Sequence, residues 1–148
     1  MRNILMGAAA FALIGLTVPA VADNDGWEKG SEYNKKFDPK SIVTISGKVS
    51  KIDRDNHPLK SMEAGFAATI KTDKGEEYLV QVGPIWFTSY FKKKWDVKVG
   101  DAVEVTGSKV NIGGKTVIMA MQGRKGSLAM TCRNKTGKPL WDLDVEDF

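Results

Sequence analysis

The chain has 148 residues, 22 Lys and Arg against 18 Asp and Glu, a formal net charge of +4, and one Cys. That length supplies one domain with a core of its own, and the mild charge does not announce a polyanionic partner. The single Cys excludes an internal disulfide and every CxxC metal, haem-attachment or thioredoxin-type motif.

Residues 1–22 read as a cleavable export signal. Arg2 is the positive n-region, Ile4 to Val18 a short apolar run, and Ala20-Val21-Ala22 the small-residue site that a signal peptidase cuts. The run falls short of the roughly 20 apolar residues of a membrane span. No Cys follows the site and no twin Arg precedes it, which favours Sec-type export to the periplasm without a lipid anchor. Cleavage removes one Arg and no acid, so the net charge falls from +4 to +3.

Residues 23–41 form a polar lead-in with isolated aromatics Trp27, Tyr33 and Phe37 and no visible period, expected to be extended and to dock on the domain. Asp38-Pro39 ends it as a turn signal. The domain itself spans 42–141. Val43, Ile45, Gly47 and Val49 alternate with polar residues, which predicts a strand with one buried face. The phase shifts between Val49 and Ile52, as at a bulge, and Gly47 suits a bend. Residues 53–64 are a polar loop with His57. Phe66 to Thr72 and Glu77 to Val82 are strands two and three, joined by Asp73-Lys74-Gly75.

Gly83-Pro84 is expected to break the third strand and open a helix to Trp95. Phe87, Phe91 and Trp95 recur every four residues as its core stripe. Trp86 and Tyr90 lie beside that stripe and reach the rim, and Lys92, Lys93 and Lys94 follow at the C-terminal end. The fourth strand starts after Gly100-Asp101, bends at Gly107 and ends near Ile112. Lys115 to Gln122 is the fifth, Gly123 to Gly126 a turn, and Ser127 to Arg133 a sixth. Residues 142–148 are an acidic tail, without the Gly turn and twelve-residue frame of a calcium loop.

Strand–strand–strand–helix–strand–strand, with the helix between strands three and four, is the order of an all-β, OB-fold-like small barrel. Residues 42–141 resemble small exported OB-fold proteins of Gram-negative bacteria, a largely uncharacterised group sometimes labelled DNA-binding by fold analogy. The likeness is carried by Val43-Thr44-Ile45-Ser46-Gly47-Lys48-Val49, Gly83-Pro84-Ile85-Trp86, Val99-Gly100-Asp101 through Gly107-Ser108, and Gly137-Lys138-Pro139-Leu140-Trp141. The layout is more distantly similar to the periplasmic bacterial OB-fold (BOF) family, thought to bind small ligands or ions. The resemblance implies fold and compartment, and no activity.

No residue set forces a reaction. His57 has no nucleophile at a diagnostic spacing, and HExxH and Gly-x-Ser-x-Gly are missing. The reading is a non-enzymatic periplasmic binding or accessory module with no cofactor. Its partner is a protein, or a small ligand or ion at the barrel face, and the contact patch is Trp86, Tyr90, Lys92, Lys93 and Lys94. Two other classes compete. A soft-metal (copper) or redox accessory protein would use Met119, Met130 and Cys132, brought together if Met119 falls opposite Met130; the plain alternative is that they fill the core. A single-strand nucleic-acid binder would need stacking aromatics on strands two and three, where only Phe66 and Tyr78 stand, and this argues against nucleic acid.

Overall fold

The computed structural model describes residues 25–90 and 96–143. Residues 1–24 (which include the expected export signal), Phe91 to Trp95 with its three lysines, and residues 144–148 lie outside them. Six strands and one helix follow in the expected order: β1 (Ile42–Asn56), β2 (Gly65–Thr72), β3 (Glu77–Pro84), α1 (Ile85–Tyr90), β4 (Ala102–Ile112), β5 (Lys115–Lys125) and β6 (Leu128–Thr131). β1 pairs antiparallel with β2 on one side and β4 on the other, and β4 with β5. β5 closes the ring by running parallel to β3, with Val80 opposite Ile118. This is the connectivity of an OB-fold-like barrel. No described helix is long and apolar enough to cross a membrane.

Three strands outrun their sequence signals. β1 continues to Asn56. β3 includes Gly83-Pro84, because Pro84 pairs with Gly65 as the last residue of its strand and sacrifices no interior ladder bond. β5 runs to Lys125, which pairs with Leu128, so the expected four-residue turn shrinks to Gly126-Ser127, with Gly126 at φ +61°.

Both expected irregularities of β1 and β4 are present. The β1–β2 register shifts between Val49 and Lys51, and the β4–β5 register between Thr106 and Gly107. A β-carbon on Gly47 would fall against the Lys71 carbonyl, and one on Gly107 against the Met119 carbonyl. At both positions glycine lets a neighbouring backbone come close, as a tightly curved barrel requires.

Strand alternation builds two cores from the same strands. Inward residues Val49, Phe66, Ile70, Val80, Val105, Ile118, Met130 and Cys132 fill the barrel. The void left at its centre is apolar and about 30 Å³, room for one water and no ligand. The outward residues of the β3–β5 seam, Val117 and Met119 with Leu79, belong to a second core completed by Trp27, Tyr33, Met62 and Ile112.

That second core corrects the reading of the lead-in. Residues 25–41 are a series of turns with a short 3-10 segment at Asn34–Lys36, not an extended strap. Trp27 and Tyr33 are 1% and 0% exposed, so they are as much core as any strand residue. Their docking was expected; the folded path was not. Asp38 does end the segment as a turn, its carboxylate accepting from the Lys40 amide and the Ser41 hydroxyl. At the other terminus a 3-10 turn, Leu140–Asp142, sets Trp141 against Trp27, with ring centroids 5.8 Å apart.

Candidate functional site

The lead-in, the β1–β2 loop and the start of α1 converge on one cleft. Asp25 is its hinge. Its Oδ1 accepts from the Trp27 amide at 2.9 Å, and its Oδ2 from the Trp86 indole Nε1 at 3.3 Å. Its carbonyl accepts from the Glu63 amide at 2.9 Å. The Trp27 indole donates to the Glu63 carbonyl at 2.9 Å, and the Trp141 indole to the Trp27 carbonyl at 2.7 Å. Asp142 accepts from the Lys29 amide at 2.6 Å, so the C-terminal turn is tied to the lead-in. Trp27, Ile85, Trp86 and Trp141 give the cleft its apolar surface, and Asp25, Glu28, Glu63, Asp142 and Arg54 its charge.

Trp86 is the outlier among these groups. Trp27 is sealed, Phe87 is 7% exposed, yet Trp86 is 57% exposed beside them. Its ring stands edge-on to Phe87 at 6.3 Å. α1 explains the division: Phe87 points into the core, while Trp86, one step of about 100° round the helix, faces the cleft mouth. Tyr90 is 82% exposed, one turn further along. The rim position of both aromatics follows the sequence reading. Lys92, Lys93 and Lys94, the cationic half of the expected patch, lie outside the described residues. Among the described residues, the charged side chains that line the cleft with Trp86 are four acids and one arginine.

Loop 57–64 supports the cleft from below. His57 Nδ1 lies 2.7 Å from the Met62 carbonyl, and Nε2 lies 2.9 Å from the Asp55 carboxylate. Both partners accept only, which suits a doubly protonated ring. The Met62 carbonyl and Asp55 accordingly raise the His57 pKa above its ordinary value. Met62 itself is buried in the second core.

Sequence reasoning gave no hint of Arg133. It is 2% exposed and, among the described residues, has no carboxylate partner. One terminal nitrogen donates to Asn34 Oδ1 at 2.8 Å and to the Gly137 carbonyl at 3.1 Å. The guanidinium carbon sits 5.9, 5.5 and 5.2 Å from the ring centroids of Tyr33, Phe37 and Trp141. Aromatic faces thus stand where a counter-ion would. Burial lowers the Arg133 pKa and pushes the Tyr33 phenol up to about 12, with its hydroxyl donating to Gln81 Oε1 at 2.8 Å. Arg133 does not itself line the cleft; it lies against the ring of Trp141, which does, and clamps the lead-in to the C-terminal segment.

The soft-metal set does not assemble. Met130 pairs with Gly123, not with Met119. Met119 belongs to the outer core, Met130 and Cys132 to the inner one, so the wall of the barrel separates them. The two-residue turn at Gly126-Ser127 sets the pairing, and the bulge sets the faces: Gly107 pairs with Ala120 and Thr106 with Gln122, leaving Met121 as the extra residue of that ladder. Burial pushes the Cys132 thiol up to about 12. Among the described residues, no three His, Cys, Asp or Glu gather as metal ligands. Of the two aromatics of strands two and three, Phe66 is inside the barrel and Tyr78 is half-buried under Lys109, 5.6 Å from its ring. Neither is a platform for bases.

Three comparisons bear on this geometry. Residues 41–130 match the MamS/MamX magnetosome protein family. No curated protein matches the chain. Among solved structures, the dimeric N-terminal domain of PriB from Thermoanaerobacter tencongensis overlays with a TM-score of 0.38 at 14% identity, covering 58% of this chain and 96% of that one.

Proposed function

Given that the chain belongs to the MamS/MamX magnetosome protein family, we propose that it is an exported, non-enzymatic accessory module that captures a protein component of the magnetosome system in the cleft beside Trp86. One observation carries the reading: a tryptophan left 57% exposed at the mouth of a cleft whose other aromatics are packed. Exposing an indole forgoes roughly 1.5–3 kcal/mol of burial, and tryptophan is a preferred anchor of protein interfaces. A small ligand inside the barrel is disfavoured because the central void is about 30 Å³. Export rests on the reading of residues 1–22, and intact-mass analysis of the secreted chain tests it: the mature protein begins at Asp23.

Binding is tested by capture. Immobilised mature chain should retain a protein from a magnetosome fraction, and Trp86→Ala should lose it while keeping the wild-type denaturant midpoint. Equal capture by the two proteins would refute the reading.

A further inference from the structure

We propose that the cleft takes a cationic segment, a Lys- or Arg-bearing stretch of its protein partner, with one basic side chain laid against the face of Trp86. The inference rests on the partner-binding reading above and names the chemistry of that partner.

The charge around Trp86 opposes that of the chain. The protein carries a net +4, yet the cleft is lined by four carboxylates, Asp25, Glu28, Glu63 and Asp142, against one guanidinium, Arg54. Asp25, Glu28 and Asp142 each hold a backbone amide of the lead-in, which fixes their positions without neutralising them. Glu63 is exposed, and its backbone is pinned on both sides, the amide to Asp25 and the carbonyl to Trp27. Arg54 is drawn to the Phe66 ring, 5.0 Å from its centroid.

The carboxylates alone would be a solvated cluster. The exposed indole is what makes the cleft selective: a cation over a tryptophan face is attracted by the ring quadrupole, and flanking carboxylates add Coulomb attraction. A polyanion meets the reverse field. Among the described residues no three acids converge closely enough to hold a metal ion. A Lys or Arg side chain meets both needs, its stem on apolar surface and its head among carboxylates.

The test follows the Trp86 indole N–H resonance of the mature chain. The probes are blocked decapeptides of Lys-Gly, Arg-Gly and Glu-Gly repeats, oligothymidine, and a second, isotopically silent copy of the chain. The basic peptides should shift the Trp86 resonance, and their affinity should fall with added salt. Glu63→Lys should weaken them by about tenfold or more, as like-charge contact does. Trp86→Leu, followed by the indole N–H resonances of Trp27 and Trp141 in the same cleft, should weaken the Arg peptide more than Glu63→Gln does. Shifts from the acidic peptide, oligothymidine or the second copy in place of the basic peptides overturn the proposal, as does the lack of any shift. The two readings separate in the capture assay. If Glu63→Lys retains the partner that Trp86→Ala loses, the cleft stands and the cationic occupant falls. If Trp86→Ala retains it, the partner-binding reading falls.

Discussion

Gly107→Ala is the smallest change that tests how this barrel closes. The added β-carbon meets the Met119 carbonyl oxygen, Ile118 Cγ2 at 2.8 Å and the Ala120 Cα at 3.0 Å. Two of those three atoms are backbone, so no rotamer relieves the contact. The β4–β5 ladder must open at its bulge, beside the parallel seam that closes the ring. Overpacking of this kind costs about 1–3 kcal/mol. With a urea m-value of about 1–3 kcal/mol/M, a cost near 2 kcal/mol lowers the midpoint by roughly 1 M. Gly30→Ala is the control: nothing lies within 4 Å of its β-carbon and its φ is outside the left-handed region. It should stay within about 0.5 kcal/mol of wild type. Urea melts followed by circular dichroism measure both. A Gly107→Ala midpoint equal to that of Gly30→Ala would refute the close-approach argument.

Other outcomes follow from the same geometry. Arg133→Met removes a buried charge with no carboxylate partner among the described residues but keeps an apolar stem, so it should change stability far less than Arg133→Ala, which adds a cavity worth about 2–5 kcal/mol; equal midpoints for the two would show that the charge, not the packing, holds the clamp. For His57 the folded pKa is raised, so its contribution is complete below the unfolded value near 6.5 and is lost as pH rises through the folded one. His57→Gln should therefore cost more stability at pH 5.5 than at pH 8.5, and a pH-independent difference would contradict the two-acceptor geometry. Cys132, 1% exposed with its thiol pushed up to about 12, should resist iodoacetamide at pH 8 until urea unfolds the chain, as mass spectrometry would show.

The barrel was legible because alternation and turn glycines are local signals. Val43 to Val49 announced its buried face, the Val49–Ile52 phase shift announced a bulge, and Gly47 and Gly107 marked close approaches. The outer core was not legible. Trp27 and Tyr33 stand six residues apart in a polar stretch with no period, because turns and 3-10 geometry impose none. Arg133 reads as a surface residue, and only its distant neighbours Tyr33, Phe37 and Trp141 make it a buried one. The methionine register failed because the turn is Gly126-Ser127, which sets Gly123 and not Met119 opposite Met130, and the β4–β5 bulge at Met121 then puts the two methionines on opposite faces. The cleft draws its acids from positions 25, 28, 63 and 142, so no window of sequence contains it. Trp86 could be placed on the rim from helix angle alone, but not its acidic surroundings.

The bond from the Trp141 indole to the Trp27 carbonyl joins residues 114 apart in sequence. A chain that emerges N-terminus first holds Trp27 and Tyr33 ready long before their cover exists. β3 and β5 must pair before Val117 and Met119 form the surface on which those rings settle, and Trp141 arrives last. Contacts of such long span are slow to form, because loop closure is paid before burial rewards it. The outer core is therefore expected to close last, leaving the seam with an apolar face until it does. Under the proposed export, whatever holds the chain unfolded would have to keep its grip until Trp141 is through, and the newly released protein would then be most open to capture by a chaperone.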